Sequence, residues 1–186
     1  EQFMRIAPSG VPQWPVVYNA VLDERPEWVA QLDLGLVQLH DLIPVLAGRL
    51  PMTHGQVSCH LRTVWKQIEW FSDSLAMVTR LDQVVTQAIV TVNPHEFHGI
   101  ATCCGLDELI PTMVTSADTR STSKVVMANR VRELLGLTPG LSSTILIDNK
   151  AHNIDEFVAA DGLGVLYERD GNSLDALAQL LGLETR

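Results

Sequence analysis

Beyond residue 86 the period of the apolar positions switches repeatedly between strand and helix. The runs at 88–92 (AIVTV), 113–115, 144–147 and 164–167 are short, apolar and mostly β-branched, as buried strands require. Between them, 95–104, 123–135, 153–160 and 174–181 carry helical spacing, with Val126, Val131, Leu134 and Leu135 on the inward face of the second. Gly105, Gly136 and Gly162 sit where helices end, and Ser173 stands as an N-cap. Strands and helices joined by short loops predict parallel βαβ units and a sheet covered on both faces.

Residues 24–85 read as almost wholly helical. One helix is expected over 33–46, kinked or ended by Pro44. A second spans 56–70, with Val57, Leu61, Val64, Trp65 and Ile68 on one face and Arg62, Lys66 and Glu69 on the other. A third runs from 73 to about 85. Upstream, the run VVYNAVL at 16–22 reads as one more apolar strand. The predicted fold class is therefore α/β, a Rossmann-like parallel sheet flanked by helices. A small all-helical cap follows the first strand. The core comprises 14–23 and 86–186, and the cap 24–85.

Composition narrows the partners. The 186 residues are 46% hydrophobic and 19% charged, which argues against disorder. A net charge of −9 disfavours a nucleic-acid partner, since nothing offsets phosphate repulsion. No apolar run reaches the ~18–20 residues of a membrane span, so no membrane association is expected. Cys59, Cys103 and Cys104 fit neither a disulfide framework nor a zinc motif. Reduced thiols and a cytoplasmic location are the simplest account.

In open parallel sheets, ligands bind beyond the carboxyl ends of the strands. That rule selects Asn19, Asp23 and Glu24 after the first strand, then Asn93, then Ser116, Asp118 and Lys124, then Asp148 and Asn149. Carboxylate, amide and ammonium groups on one rim suit a phosphate or a divalent cation. The same residue types also serve as ordinary helix N-caps.

Order and spacing add to this. Ala88-Ile-Val-Thr-Val-Asn93, Gly105-Leu-Asp-Glu-Leu109, Met113-Val-Thr-Ser-Ala-Asp118, Lys124, Ile145-Leu-Ile-Asp148-Asn149 and Gly162-Leu-Gly-Val-Leu-Tyr167 follow in turn. This succession resembles the haloacid dehalogenase-like (HAD) superfamily over about 88–182. The stretch ILIDNKAHNIDEFVAADGLGVLY is its most specific part. The resemblance implies phosphoryl transfer through an Asp-x-Asp at the end of the first strand. The first Asp is the nucleophile and the second the acid/base. It also implies Mg²⁺ held partly by an acidic residue of the last motif, here Asp148 with Asn149 beside it. A Ser/Thr and a Lys, here Lys124, would hold the phosphoryl oxygens.

The first motif departs from that pattern. One register places Asn19 at the nucleophile position and Val21 at the acid/base, and neither side chain can perform that role. A second register reads Asp23-Glu24-Arg25, which keeps a nucleophile but puts Arg25 at the acid and Pro26 where a Gly turn belongs. Thr91 or Val92 falls at the Ser/Thr position ahead of Asn93. The Asp-x-Asp is broken in both registers, so Mg²⁺ binding is doubtful and hydrolysis is expected to be weak or absent. The alternatives are a non-catalytic HAD-like binding or interaction module, and an active phosphatase or dehalogenase using Asp23. Expected partners are a small anionic or phosphorylated ligand and, through the cap with Trp28, Trp65 and Trp70, a protein. Those tryptophans serve equally well as cap core. His95, His98 and His152 are more simply a solvated face than a metal site.

Overall fold

The computed structural model describes residues 6–64, 72–168 and 172–182. Its elements after the helical stretch follow the expected alternation. They are β1 (Ile89–Thr91), α6 (Phe97–Cys103), α7 (Leu106–Leu109), β2 (Met113–Thr115), α8 (Ser116–Thr119), α9 (Lys124–Leu134), β3 (Ile145–Asp148), α10 (Ala151–Ala159), β4 (Leu163–Leu166) and α11 (Asn172–Leu180). Some boundaries fall where a side chain caps the helix or a glycine ends it. The Ser123 hydroxyl accepts from the Val126 N–H to start α9, and Gly136 follows its end at φ +66°.

All strand pairing is parallel, yet the strands do not form one sheet. β1 pairs with β2 in the register Ile89–Met113 to Thr91–Thr115. β3 pairs with β4 from Ile145–Leu163 to Asp148–Leu166. Among the described residues these are two separate two-stranded sheets. Met127 and Val131 of α9 pack on Val114 and Val90, while Leu146, Phe157, Ala128 and Leu141 form a second cluster that Val90 also joins. Leu177 and Ala178 of α11 cover Ile145 and Val165 together with Met77 and Leu81. Gly162 lets the chain pass the buried Phe157 ring, because a Cβ there would lie 2.4 Å from two ring carbons.

The helical stretch contains α1 (Trp14–Asp23), α2 (Pro26–Asp33), a 3₁₀ turn at Leu39–Asp41, α3 (Leu42–Ala47), α4 (His54–Thr63) and α5 (Ser72–Leu81). The helix expected over 33–46 is thus broken between α2 and α3, and Pro44 lies in the first turn of α3, where its missing N–H has no partner to lose. Thr53 caps α4 in a reciprocal capping box with Gln56. Trp65, Trp70 and Phe71, with the second half of the helix expected over 56–70, lie outside the described residues.

One expectation is overturned. Residues 16–22 are not a strand; they belong to α1. The buried positions of this segment are Trp14, Tyr18 and Val21, spaced four and three apart, while Val16 is 71% exposed. That is the period of a helix, and Pro15 is placed in its first turn, where proline is favoured. β-Branched content suggested a strand; burial against a helical cluster decided otherwise. Trp14, wholly buried, stacks with Tyr18 and meets the His60 ring edge-on at 4.4 Å. Leu42, Leu46, Val57, Leu61 and Val64 complete this core.

His60 donates from Nε2 to the Ile6 carbonyl at 2.9 Å. Burial holds its pKa below the usual histidine value, against the opposing pull of that hydrogen bond.

Helical placement of 14–23 predicts an uneven substitution pattern. Trp14→Ala should cost about 3–5 kcal/mol in urea unfolding, whereas Val16→Ala should stay within about 0.5 kcal/mol. Similar losses at both positions would mean that the segment is not this helix.

Candidate functional site

The carboxyl ends of β1, β2 and β3 converge on the first turn of α9. Lys124 opens that helix with its side chain 7% exposed. Its Nζ donates to the Val90 carbonyl of β1 at 2.7 Å and lies 3.4 Å from Oδ2 of Asp148, the last residue of β3. The other Asp148 oxygen, Oδ1, accepts from the Lys150 N–H at 2.9 Å. Burial lowers the Lys124 pKa below the ordinary lysine value, and the Asp148 carboxylate only partly opposes this.

Asn93 follows β1. Its Nδ2 donates to Thr91 Oγ1 at 2.6 Å, and its backbone N–H donates to Ser116 Oγ at 3.0 Å. Ser116 is wholly buried and donates to the Asp33 carbonyl at the end of α2. The chain end of β2 is thereby tied to the helical cluster. Thr115 caps α8 in a reciprocal box with Asp118. Asp118 also accepts from two imidazoles, His95 Nδ1 at 3.0 Å and His98 Nε2 at 2.8 Å. A carboxylate only accepts, so both of these ring nitrogens carry the proton. Burial alone would raise the Asp118 pKa, but the Thr115 N–H and the His98 contact outweigh it and hold the carboxyl below its usual range. Gly35, at φ +67°, lies against Ala117 and His95, and a Cβ there would stand 2.9 Å from each.

A cavity of about 420 Å³ opens beside this cluster, lined by Val92, Ser123, Lys150, His152, Asn153 and Glu156 among others. Ser123 Oγ donates to Glu156 Oε1 at 2.5 Å across it. The first turn of α10 borders the cavity, so the positive end of the helix dipole is near.

The structure therefore brings Lys124 and Asp148 together and places Asn93 at the neighbouring strand end. Asn149 is exposed on the turn after β3. Asn19 and Asp23 are not at a strand end in either register. Both lie on α1, which packs on α2 and α3, and Asp23 is exposed. Neither motif register survives, because each required residues 16–23 to be extended.

Mg²⁺ does not find a donor set in these residues. Asp148 is one carboxylate, already engaged by a backbone N–H and an ammonium. Among the described residues no group of three or more His, Cys, Asp or Glu side chains is placed to hold a metal. Ser116 is a rim candidate in the sequence by its position after a strand, but its bond to Asp33 has no local signal; Thr115, inside the expected strand, and Ser123 and Glu156, inside expected helices, carry none for these roles.

No known family profile matches the chain, and no curated protein matches it. Solved structures do. A HAD family enzyme from Bacteroides thetaiotaomicron, solved as a magnesium complex, superposes with a TM-score of 0.62 at 11% identity over 83% of this chain and 81% of that one. The same enzyme with magnesium and inorganic phosphate gives 0.63 at 11% identity, again over 83% and 81%. A predicted HAD-like family hydrolase from Porphyromonas gingivalis gives 0.67 at 14% identity over 92% and 88%. The fold is HAD-like, with parallel strands flanked by helices. No helix among the described residues is long and apolar enough to cross a membrane.

Three predictions follow from the electrostatics. Asp148→Ala and Lys124→Met each leave one charge of the pair buried without its partner and should destabilise by about 3–5 kcal/mol, whereas the double change Lys124→Met with Asp148→Leu should cost less than the sum; strictly additive losses in denaturant unfolding would refute the pairing. Since Lys124 binds its proton less tightly folded than unfolded, its linkage term makes wild-type stability rise with pH up to the unfolded value near 10.5. Lys124→Met should lack that rise. Asp118 has the opposite linkage. The stability it contributes is present above 3.8 and lost as pH falls through its lowered folded value. Asp118→Asn should flatten that acid limb in pH-dependent melting.

Proposed function

We propose that this HAD-like chain is a phosphatase-type scaffold that binds a small phosphorylated or otherwise anionic ligand at the ends of β1 and β3, with little or no phosphohydrolase activity of its own. The observation that carries the reading is the separation of its parts. The cation suited to phosphoryl oxygens, Lys124, sits buried at the strand ends, whereas both nucleophile candidates, Asn19 and Asp23, are on helix α1.

Ligand binding and hydrolysis have different requirements. An anion needs positive charge and amide donors, which Lys150, His152 and the first turn of α10 supply around the cavity, with buried Lys124 next to its lining residue Ser123. Asp148 balances Lys124 when no anion is bound, and a phosphoryl group would compete for the same ammonium. Hydrolysis needs an aligned nucleophile in addition, and an exposed carboxylate on α1 does not provide one. Mg²⁺, where present, would neutralise phosphate charge, and Asp148 with Asn149 would be its donors from this chain. Those two groups are too few for a hexacoordinate ion that keeps only part of its water. The phosphate and magnesium held by the Bacteroides enzyme make such a ligand and cofactor reasonable probes here.

Asp23 as an active nucleophile draws no support from its position. A cap surface for a protein partner is a separate proposal; Trp28, stacked 4.3 Å from the Arg25 guanidinium and packed against the helical core, is the described tryptophan nearest to that role.

Inorganic phosphate should bind measurably by calorimetry, and Lys124→Met should weaken it about tenfold, equivalent to ~1.4 kcal/mol. Turnover of p-nitrophenyl phosphate with Mg²⁺ should remain near background and be unchanged by Asp23→Asn. Vigorous turnover abolished by Asp23→Asn would overturn the proposal.

A further inference from the structure

A second cavity lies away from the rim, at the amino ends of β1 and β2. It opens between the loop 82–87, the segment 109–112 and Leu135 at the end of α9. Its volume of about 410 Å³ is within the range of small-molecule sites. Ligands of parallel sheets are expected at the opposite end of the strands, so chain position gives this cavity no signal.

The walls are braced by bonds that need no ligand. Two carbonyls left over at the end of α5 hold the loop. Leu81 O accepts from the Val84 N–H at 3.0 Å and the Val85 N–H at 2.9 Å. Val78 O accepts from the Asp82 N–H at 3.1 Å and from Gln87 Nε2 at 2.9 Å. On the facing side, the Ile110 N–H returns to Leu106 O at 2.9 Å, and Thr112 O accepts from the Ile89 N–H at 2.9 Å. Leu109 and Pro111 are thereby fixed relative to β1. Leu135 closes the third side and packs on the cluster of Val114, Met127 and Val131. A pocket braced in this way loses little freedom when it is filled.

The lining is apolar with one acidic end. Val84 is 53% exposed and Leu109 39%, and Pro111 is exposed as well. Apolar surface with a polar rim is what a ligand groove presents. Asp82 is the one formal charge among the described lining residues, and no lysine, arginine or histidine accompanies it. Its carboxylate is exposed and forms no ion pair among the described residues. Gln87 has committed an N–H to Val78, which orients the amide and leaves Oε1 as an acceptor. An anion here meets only a like charge. A cation meets a carboxylate and an amide oxygen, and a cation with an apolar body also covers the exposed side chains.

We propose that this cavity binds a primary alkylammonium compound, with its ammonium at Asp82 and its apolar body on Val84, Leu109, Pro111 and Leu135. Residues 82–87 connect α5 to β1, so an occupied cavity holds that connection in place. The inference stands apart from the phosphate-binding proposal, which concerns the other end of the strands.

The probe is n-hexylammonium chloride, added to the full chain and followed by backbone amide NMR. Saturable shifts are expected at 82–87, 109–112 and 135, with amide exchange of Val84 and Val85 slowed. Asp82→Asn should weaken binding about fivefold, the upper range for an exposed ion pair. Leu109→Ser should cost about as much through lost apolar contact. Both side chains are exposed, so the fold survives either change. n-Hexanol, with the same body and no charge, should bind the wild type and Asp82→Asn equally, and sodium hexanoate should not shift these residues. No saturable shift at these residues, or equal binding of hexanoate, overturns the proposal. So do shifts scattered over the acidic surface and unchanged by Asp82→Asn, which reflect only the net charge of −9. Phosphate affinity is read separately, so failure here leaves the ligand-binding proposal standing.

Discussion

A single buried ammonium organises the end of this molecule where ligands are expected. Lys124 has to be drawn from α9 into the space between β1 and β3, and burial acts against its charge throughout. It is tolerated because a carbonyl and a carboxylate, from strands that do not pair with each other, converge on it. The same contacts set where α9 lies against β1 and β3. Lys150 and His152 line the neighbouring cavity that α10 borders.

The helical cluster and the strands meet along a polar seam. Ser116 reaches the Asp33 carbonyl, the Leu39 N–H donates to Glu96 Oε1 at 2.8 Å, and Gly35 closes against Ala117 and His95. Asp118 holds two imidazoles in fixed tautomers just beside that seam. These side chains position the cluster over the strand ends. Both histidines are exposed on their outer side and are held by a carboxylate that also caps α8.

The second half of the chain was largely legible from pattern. β2 was expected at 113–115 and found there, and α9 and β3 lie within a residue of their expected spans, because short β-branched runs closed by Gly, Asp or Ser leave few alternatives. Lys124 and Asp148 were legible as rim residues, since spacing alone places them after a strand or before a helix. Their mutual contact was not. It depends on two loops converging, and no local pattern encodes that. Ser116 was visible as a residue after a strand, but its bond to a carbonyl 83 positions away was not.

What the sequence determined by itself was local: the alternating elements beyond residue 86, caps such as Ser123, and the helical tendency of the stretch that holds α2 to α5. Tertiary structure decided the first segment and the sheet. In VVYNAVL, β-branched residues favour a strand, yet Trp14, Tyr18 and Val21 are buried together only on a helix, against Leu42, Leu46 and Val57. Burial of a tryptophan outweighs a β-propensity difference of ~1 kcal/mol. With that segment helical, no strand joins β1 to β3 among the described residues, and Lys124 contacts both.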